Sequence, residues 1–422
     1  MNEDILKLSL FESFDHIVQS AHGDQLFKNF SLSETHKRII VIGAGKASAE
    51  MAASLERHLN RPLEGLVITR YGQRVPTKHI KVIEAAHPVP DQQGREAVDE
   101  VLTILATAGP GDLIICLLSG GGSALMSAPV EGVSFENLQS INQNLLKSGA
   151  SINEINCVRK HLNKVLGGKL ANAAPSTKLI TLAISDVVGD DPSTIASGPT
   201  IDDPTTLSEA QNILKKYAIQ PTADIKAALA NPANETPKKG DLVFTNNEYI
   251  LLATPSKSLN HVAEYWKTKG FHPIILDAEM EGDTNLAAKH HVKFIQSILK
   301  AEENNPLPIA VISGGETTVK IKGEGRGGPN TQFMLQSAIS LLGNKQVYGM
   351  SCDTDGIDGS GDNAGAFITP DTLKIATDLS LDANTFLAEN NSYAFFKSIN
   401  QLVMKGPTNT NINDYRVFLL VP

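Results

Sequence analysis

The chain has 422 residues, which is too long for one hydrophobic core and favours two large domains. Apolar residues make up 41% and charged residues 20%, so a disordered or collagen-like chain is excluded. The formal net charge of -9 argues against nucleic acid or an anionic membrane surface as partner, because both bind clustered Lys and Arg.

The first predicted element is an amphipathic helix at the N-terminus. Its apolar residues recur at helical spacing, unlike the continuous apolar core of a signal peptide; they are Ile5, Leu6, Leu8, Leu10, Phe11, Phe14 and Ile17. No run of about 18 apolar residues predicts a membrane span. The three cysteines lie far apart and predict neither disulfides nor a zinc site, which indicates a reducing compartment and a cytoplasmic location.

Short apolar runs alternate with helix-like stretches along the chain, as in parallel sheets with crossover helices. The predicted strands are 38–43, 65–70, 81–86, 112–119 and 178–185, followed by 249–254, 273–278, 308–315, 346–352 and 415–421. The fold class is therefore α/β. We expect two α/β/α Rossmann-like domains with mainly parallel sheets that flank an interdomain cleft.

A segment rich in Pro, Ala, Asn and Lys over 218–240 predicts a connector between the domains. We therefore place the first domain at 1–236 and the second at 237–422. For the last segment, from about 391, packing back onto the first domain is left open.

The loop after the first predicted strand reads GAGKAS. Gly43 and Gly45 allow a tight turn, and Lys46 is predicted in the first helical turn beside free amides that suit a phosphate or carboxylate. The loop lacks P-loop spacing, and Ser48 stands at the third glycine of a dinucleotide fingerprint. The alternative for Lys46 is a solvated lysine at a helix start.

The loop after the fourth predicted strand contains Ser119, Gly120, Gly121, Gly122 and Ser123. Three consecutive glycines cost conformational entropy in ordered structure, so we expect them to have a role. Their amides predict an anion-binding turn with Ser123 as helix N-cap. A plain tight turn is the alternative.

Two further segments carry charges suited to an anionic ligand or a metal. Arg159 and Lys160 lie in a helical stretch and suit a substrate carboxylate, although a solvated basic face has the same spacing. Asp186 and Asp190 follow a buried strand and predict a magnesium site, with turn chemistry as the alternative.

The second half contains a glycine-rich segment around Arg326. The guanidinium is predicted on a pliant backbone, as a finger that neutralises charge during phosphoryl transfer. The acidic segment 353–362 resembles a calcium loop only weakly, since it lacks the distal glutamate, and no calcium site is predicted.

Several segments together resemble one known family. They are GAGKAS (43–48), HPVPD (87–91), LLSGGGSAL (117–125), VRKHL (158–162), SDVVGDDPSTIASGPT (185–200), SGGETTV (313–319), GRGGPN (325–330), DTDGIDGSGDNAGA (353–366) and GPTNTNINDY (406–415). Their number and order along nearly the whole chain resemble the glycerate 2-kinase family with its MOFRL C-terminal module.

The resemblance implies an enzyme that transfers phosphate from ATP to D-glycerate, giving 2-phosphoglycerate, with Mg²⁺ as cofactor. It implies a catalytic lysine at Lys46 and a catalytic arginine at Arg326; we assign Asp186 to magnesium or to the acceptor hydroxyl. Expected partners are D-glycerate and ATP, not nucleic acid or membrane, and a homo-oligomer is compatible with the sequence.

Two other functions remain open at this point. An NAD(P)H-dependent hydroxypyruvate reductase would use the Gly43–Gly45 turn, but no acid follows the second strand to bind a ribose; Arg70 there suits the 2′-phosphate of NADPH better. A non-catalytic protein that binds small acids would use the same anion loops.

Overall fold

The computed structural model describes residues 2–174, 177–301 and 308–422. Their contacts divide the chain into two compact units. We call His22–Leu252 the glycine-loop unit, and residues 2–21 together with Ala253–Pro422 the C-terminal unit.

Of the strands that the structure describes, ten lie close to the predicted runs and four short ones were not predicted. They are β1 (Ile39–Ala44), β2 (Glu64–Arg70), β3 (Lys81–Ala85), β4 (Leu113–Leu118), β5 (Lys178–Ile184), β6 (Asn247–Ala253), β7 (His272–Asp277), β8 (Glu281–Asp283), β9 (Ile309–Ser313), β10 (Glu316–Thr318), β11 (Val347–Asp353), β12 (Gly365–Ile368), β13 (Leu402–Val403) and β14 (Asp414–Leu420).

Helices alternate with these strands in both units. They are α1 (Glu3–Ser20), α2 (Gly23–Phe27), α3 (Ser48–Leu59), α4 (Gln92–Leu105), α5 (Gly122–Leu125), α6 (Phe135–Lys147), α7 (Ile152–His161), α8 (Lys169–Asn172), α9 (Leu207–Lys216), α10 (Ala223–Ala230), α11 (Pro255–Thr268), α12 (Thr284–Lys300), α13 (Pro329–Leu341), α14 (Thr372–Asp378), α15 (Ala383–Ala388) and α16 (Ser392–Ser398).

The sheet of the glycine-loop unit has the order β3-β2-β1-β4-β5-β6. Strands β1 to β5 pair in parallel. Strands β1 and β4 are buried along their whole length, as expected of strands covered on both faces. The strand order reverses between β1 and β4, and ligands of such sheets bind beyond the strand ends at that point.

The sheet of the C-terminal unit has the order β13-β12-β11-β14-β9-β7. Only β7 and β9 pair in parallel; the other pairs are antiparallel. The predicted α/β class is confirmed, but this second sheet is mixed rather than mainly parallel. Strand β14 is buried throughout and ends in the apolar run Val417–Leu420, so its pattern does not reveal its direction.

The predicted connector is part of the glycine-loop unit. Its middle forms helix α10, whose Ile225, Ala228 and Leu229 are buried in a cluster with residues of helices α6, α7 and α9. Strand β6, predicted to open the second domain, completes the first sheet instead. The units therefore meet in sequence at residues 252 and 253, later than the predicted 236 and 237.

Helix α1 belongs to the C-terminal unit, not to the first domain where the sequence placed it. Its residue Ser9 accepts a hydrogen bond from the hydroxyl of Tyr265, and its Ser13 pairs with the hydroxyl of Tyr415. The segment after 391 also stays in this unit, with Phe395 and Phe396 in its core. The predicted interdomain cleft stays a prediction.

Among the described residues, no helix has both the length and the apolar character needed to cross a membrane.

Candidate active site

The loops after β1 and β4 contact each other where the strand order reverses, a place that we call the switch point. The amide of Lys46 donates to Gly120 O at 2.9 Å, and the amide of Ala47 donates to Ser119 Oγ at 3.0 Å. A Cβ on Gly43 would lie 2.0 Å from Leu117 O, so glycine is required there for this close approach.

The amides of the first loop are occupied within the protein, contrary to our expectation. Besides Lys46 and Ala47, Gly45 donates to Ile68 O and Ser48 to Gly45 O, both at 3.1 Å. Lys46 precedes helix α3, which begins at Ser48. This loop therefore offers an anion the Lys46 side chain rather than its amides.

The second loop retains donors. Within the described part of the chain, the amides of Gly120, Gly121 and Ser123 donate to no protein acceptor. Gly121, with φ 82°, is the N-cap of the short helix α5, so the prediction of Ser123 as N-cap is wrong. Ser123 Oγ instead lies 2.8 Å from Ser197 Oγ.

His87 joins this loop, and sequence reasoning missed it. A Cβ on Gly121 would lie 3.0 Å from His87 Cδ2 and 3.5 Å from Lys46 Cγ, so both side chains flank that glycine. The HPVPD segment entered our reasoning only through the family resemblance. The signal in the sequence was the position of His87 just after the third strand.

Asp186 lies beside the second loop. A Cβ on Gly120 would lie 1.7 Å from Asp186 Oδ2, so the missing side chain of this glycine admits the carboxylate. Asp186 and Lys46 therefore both flank the Gly120–Gly121 turn, as the position of their loops at the switch point predicts.

The carboxylates after β5 fit a magnesium ion by their chemistry. The buried Oδ1 of Asp190 has no hydrogen-bond donor among the described residues. Mg²⁺ prefers one or two carboxylates and takes its other ligands from phosphates and water. Asp186 and Asp190 match that donor set, and no cluster of three or more His, Cys, Asp or Glu that could hold a metal occurs in the described ranges.

Arg159 is mostly buried at the end of helix α7. Its Nε donates to Asn142 Oδ1 at 3.2 Å, and it forms no ion pair with any described residue. Burial lowers the pKa of Arg159, because the charged form loses solvation. Arg159 lines a small enclosed cavity together with Ser123 and Pro88, so it remains a candidate for a carboxylate.

Lys160, its neighbour, has a different environment. Its Nζ lies 3.1 Å from Asp203 Oδ1, and both side chains are buried. Asp203 also accepts hydrogen bonds from Thr205 and Thr236. The structure thus separates the predicted pair: Arg159 lines the cavity, and Lys160 belongs to a buried ion pair.

Arg326 lies in the C-terminal unit. It lines a groove of about 570 Å³ together with Thr317, Gln332 and Ser360. Its Nη2 lies 3.3 Å from Asp362 Oδ1, and its side chain is 48% exposed. The guanidinium is thus accessible from the groove.

The backbone around Arg326 is packed rather than pliant, which corrects the prediction. A Cβ on Gly325 would lie 2.4 Å from Asn391 Cβ, and one on Gly327 would lie 2.3 Å from Ser392 Oγ. Neither glycine has a left-handed φ. These glycines admit the neighbouring segment 389–392 instead of supplying flexibility.

Comparison with known proteins shows which family this chain belongs to. Residues 9–230 match the model of a domain of unknown function, DUF4147, and residues 309–414 match the MOFRL family. A Pyrococcus horikoshii protein named glycerate 2-kinase is 41% identical over 90% of this chain and 87% of its own. The chain belongs to the glycerate 2-kinase family.

Solved structures agree with this family. A Thermotoga maritima glycerate kinase structure matches with a TM-score of 0.90 at 36% identity, covering 99% of this chain and 100% of its own. One member bears another provisional name, hydroxypyruvate reductase: an Agrobacterium vitis protein, 42% identical over 96% of this chain and 93% of its own. The predicted membership of the glycerate 2-kinase family is confirmed.

Proposed function

We propose that this protein is a glycerate 2-kinase, which transfers the terminal phosphoryl group of ATP to the 2-hydroxyl of D-glycerate. The observation that carries the proposal is the Gly120–Gly121 turn at the switch point, flanked by Lys46 and Asp186. Relatives named glycerate 2-kinase, from Pyrococcus horikoshii and Thermotoga maritima, support it.

In the reaction, the 2-hydroxyl oxygen of glycerate forms a bond to the γ-phosphorus of ATP. The bond from that phosphorus to the β,γ-bridging oxygen breaks, and ADP leaves with the electron pair. The hydroxyl proton passes to a base. Phosphoryl transfer depends mostly on positioning and charge neutralisation, so the roles of this chain's residues are electrostatic.

Lys46 supplies the positive charge beside the turn. The amides of Gly120, Gly121 and Ser123 add hydrogen-bond donors without net charge. An anionic group bound there would accept charge-assisted hydrogen bonds, which are stronger than neutral ones. Arg326 is assigned to neutralising the charge that develops on the transferred phosphoryl group.

Asp186 has one of two roles. It either accepts the proton of the substrate hydroxyl or holds magnesium with Asp190. Magnesium, when bound, supplies neutralisation of the ATP phosphates and a template for the in-line geometry.

Arg159 is the residue we assign to the substrate carboxylate. Its guanidinium has no ion pair with a described residue and lines a cavity that Ser123 of the glycine turn also lines. An arginine can bind a carboxylate through two parallel hydrogen bonds, which fixes orientation as well as charge. Lys160 is not part of this assignment, since Asp203 neutralises it.

The reductase alternative meets a physical obstacle at the first loop. A dinucleotide fingerprint needs free amides for the pyrophosphate and a small third residue for close packing. Here the amides of Lys46 and Ala47 donate to protein acceptors, Gly120 O and Ser119 Oγ, and are not available to a pyrophosphate. At the third position stands the buried Ser48, whose hydroxyl donates to Ile68 O at 2.7 Å.

The test incubates the pure protein with D-glycerate, ATP and Mg²⁺, follows ADP formation and identifies the product by phosphorus NMR. The same preparation is assayed in parallel with NADPH and hydroxypyruvate. We expect 2-phosphoglycerate, and the Lys46→Met variant, purified identically, should lose the activity, which excludes a contaminating kinase.

Other outcomes have distinct meanings. Formation of 3-phosphoglycerate would keep the kinase but contradict the regiochemistry. NADPH oxidation without phosphorylation would contradict the proposal and favour the reductase, and glycerate binding without turnover would favour a non-catalytic protein. A cytoplasmic location and a homo-oligomer stay predictions.

A further inference from the structure

Arg326 is held by two side chains, Tyr393 and Asp362, which we call the Arg326 clamp. The Arg326 Cζ lies 4.1 Å from the centre of the Tyr393 ring. Its Nη2 lies 3.3 Å from Asp362 Oδ1, and the Tyr393 hydroxyl donates to the same oxygen at 2.8 Å. The three side chains thus close a ring of contacts.

The backbone of Arg326 is held by the same segment of chain. Its amide donates to Asn391 Oδ1 at 3.2 Å, and its carbonyl accepts from the amide of Tyr393 at 3.0 Å. Tyr393 therefore contacts the Arg326 guanidinium with its ring and hydrogen-bonds the Arg326 carbonyl with its amide.

The two clamp residues differ in exposure. Tyr393 is only 6% exposed, so its ring is fixed by the surrounding core, whereas the Asp362 side chain is 62% exposed. The hydrogen bond from the Tyr393 hydroxyl lowers the pKa of Asp362, which keeps that carboxyl ionised. Arg326 thus has one rigid aromatic contact, with Tyr393, and one charged contact, with Asp362.

Stability does not account for the clamp. An exposed ion pair and a cation–π contact at an exposed site each contribute little to the free energy of unfolding. An arginine side chain, however, has considerable rotamer entropy that must be lost before it can bind an anion. The clamp restricts the side chain before any anion binds.

The clamp leaves part of the guanidinium available. Among the described residues, Nε and Nη1 of Arg326 have no hydrogen-bond acceptor, and the residue lines the groove with Thr317, Gln332 and Ser360. These two nitrogens can donate to an anion while Nη2 stays on Asp362.

We propose that Tyr393 and Asp362 are positioning residues that hold Arg326 ready to donate hydrogen bonds to a phosphoryl oxygen. The proposal rests on the proposed role of Arg326 in phosphoryl transfer. Without the clamp, the guanidinium samples other rotamers and is in place for a smaller fraction of encounters. Turnover should fall, while the KM for D-glycerate changes little.

The experiment is a set of double-mutant cycles in the full chain, measured as kcat and KM with ATP and D-glycerate. Tyr393→Phe keeps the ring and should retain kcat within about threefold. Tyr393→Leu should lower kcat about 10- to 100-fold, and Asp362→Asn about 3- to 10-fold, the size expected for misplacing a reacting group. Asp378→Asn removes an exposed charge elsewhere in this unit and should have no effect.

The decisive comparison repeats the clamp variants in an Arg326→Ala background. If the clamp acts through Arg326, Tyr393→Leu and Asp362→Asn should then change kcat less than about twofold. If the kcat loss of a clamp variant multiplies in full with that of Arg326→Ala, the proposal is overturned. Normal kcat in both single clamp variants would overturn it as well. If Tyr393→Leu fails to fold, Asp362→Asn carries the test, because its side chain is mostly exposed.

Failure of the clamp is distinguishable from failure of the proposed function. A wild-type protein that forms no ADP from ATP and D-glycerate contradicts the kinase itself. A kinase whose Arg326→Ala variant keeps normal turnover contradicts the role of Arg326 and overturns the clamp with it.

Discussion

The two glycine-rich loops look alike in sequence, and each lies near one cation, but they use glycine differently. In the glycine-loop unit, Gly43, Gly45 and Gly121 have φ values of 152°, 147° and 82°, which favour glycine. In the C-terminal unit, Gly325 and Gly327 lack such angles and make room for residues 391 and 392. In the glycine-loop unit glycine therefore serves both backbone shape and close packing, whereas Gly325 and Gly327 serve close packing alone.

The difference extends to the cations. Lys46 lies beside a turn whose amides are available, so charge and hydrogen-bond donors come from one place. Arg326 lies on a packed backbone and faces a groove, with its guanidinium oriented by Tyr393 and Asp362. A glycine-rich segment therefore does not by itself indicate flexibility.

The largest expected effect is on Arg326. Arginine fingers in phosphoryl transfer contribute about 10³ to 10⁵ in rate, so Arg326→Ala should lower kcat by a factor in that range. Thermal unfolding should change little, because the side chain is half exposed. Lys320→Ala removes an exposed cation of the same unit and should keep normal kcat; an equal loss there would indicate a general charge effect.

A substitution of one glycine in each unit compares a glycine packed against a flexible side chain with one packed against backbone. Gly120→Ala would push the flexible Asp186 side chain aside and should lower kcat about 100-fold with little loss of stability. Gly325→Ala would meet Glu389 O at 2.5 Å and Asn391 Cα at 2.6 Å, both backbone atoms, and should cost about 1 to 3 kcal/mol of stability.

The control for both substitutions is Gly109→Ala, where a Cβ meets nothing within 4 Å and φ is ordinary. It should leave kcat and the denaturation midpoint unchanged. If Gly120→Ala unfolds the protein while Gly325→Ala does not, the comparison of the two loops is reversed.

Substitutions of Arg159 and Lys160, in the glycine-loop unit, should have smaller effects, one on KM and the other on stability. Hydrogen bonds to charged groups contribute about 1.5 to 3 kcal/mol, so Arg159→Met should raise the KM for D-glycerate about 10- to 100-fold. Lys160→Met leaves Asp203 buried without its ion pair and should cost about 3 to 5 kcal/mol of stability. A raised KM only in the Lys160 variant would contradict the assignment.

The smallest expected effect is on how stability depends on pH, through a buried carboxyl group that anchors the chain after Arg326. The buried Asp358 accepts hydrogen bonds from the amides of Asn330 and Thr331, at 2.8 Å each. Burial raises the pKa of Asp358 to about 6. Its native form thus holds a proton more tightly than the unfolded chain, so its contribution to stability falls as pH rises from about 4 to 6.

Asp358→Asn should remove this pH dependence. Wild-type stability relative to the variant should drop by about 1 to 3 kcal/mol between pH 4 and pH 7, measured by denaturant titration. The variant also carries a constant loss, since an amide cannot accept at both positions. A difference independent of pH would mean that Asp358 keeps an ordinary pKa.

Much of the fold was predictable because buried parallel strands are short, apolar and end in small residues. Strands β1, β4 and β5 are of this kind, and the loops after β1 and β4 meet as the switch-point rule predicts. The short strands β8, β10, β12 and β13 were missed because two to four residues show too little periodicity.

The rest depended on partners distant in sequence. Lys160 and Arg159 are adjacent and alike in charge, yet only Lys160 meets Asp203, a partner that spacing cannot reveal. The connector prediction was wrong because composition suggested a loop where Ile225, Ala228 and Leu229 form a buried helix face. Tyr393 gave no signal at all, because its partner Arg326 is remote in the chain.

Helix α1 has a consequence for how the chain folds during synthesis. Its buried residues Leu10 and Phe14 belong to the C-terminal unit, whose other residues follow Ala253. The glycine-loop unit can complete its core as it leaves the ribosome, whereas α1 meets Tyr265 only after that unit has been synthesised and Tyr415 only near the end of the chain. The emerging chain therefore carries an exposed apolar helix for most of translation, a natural target for chaperones.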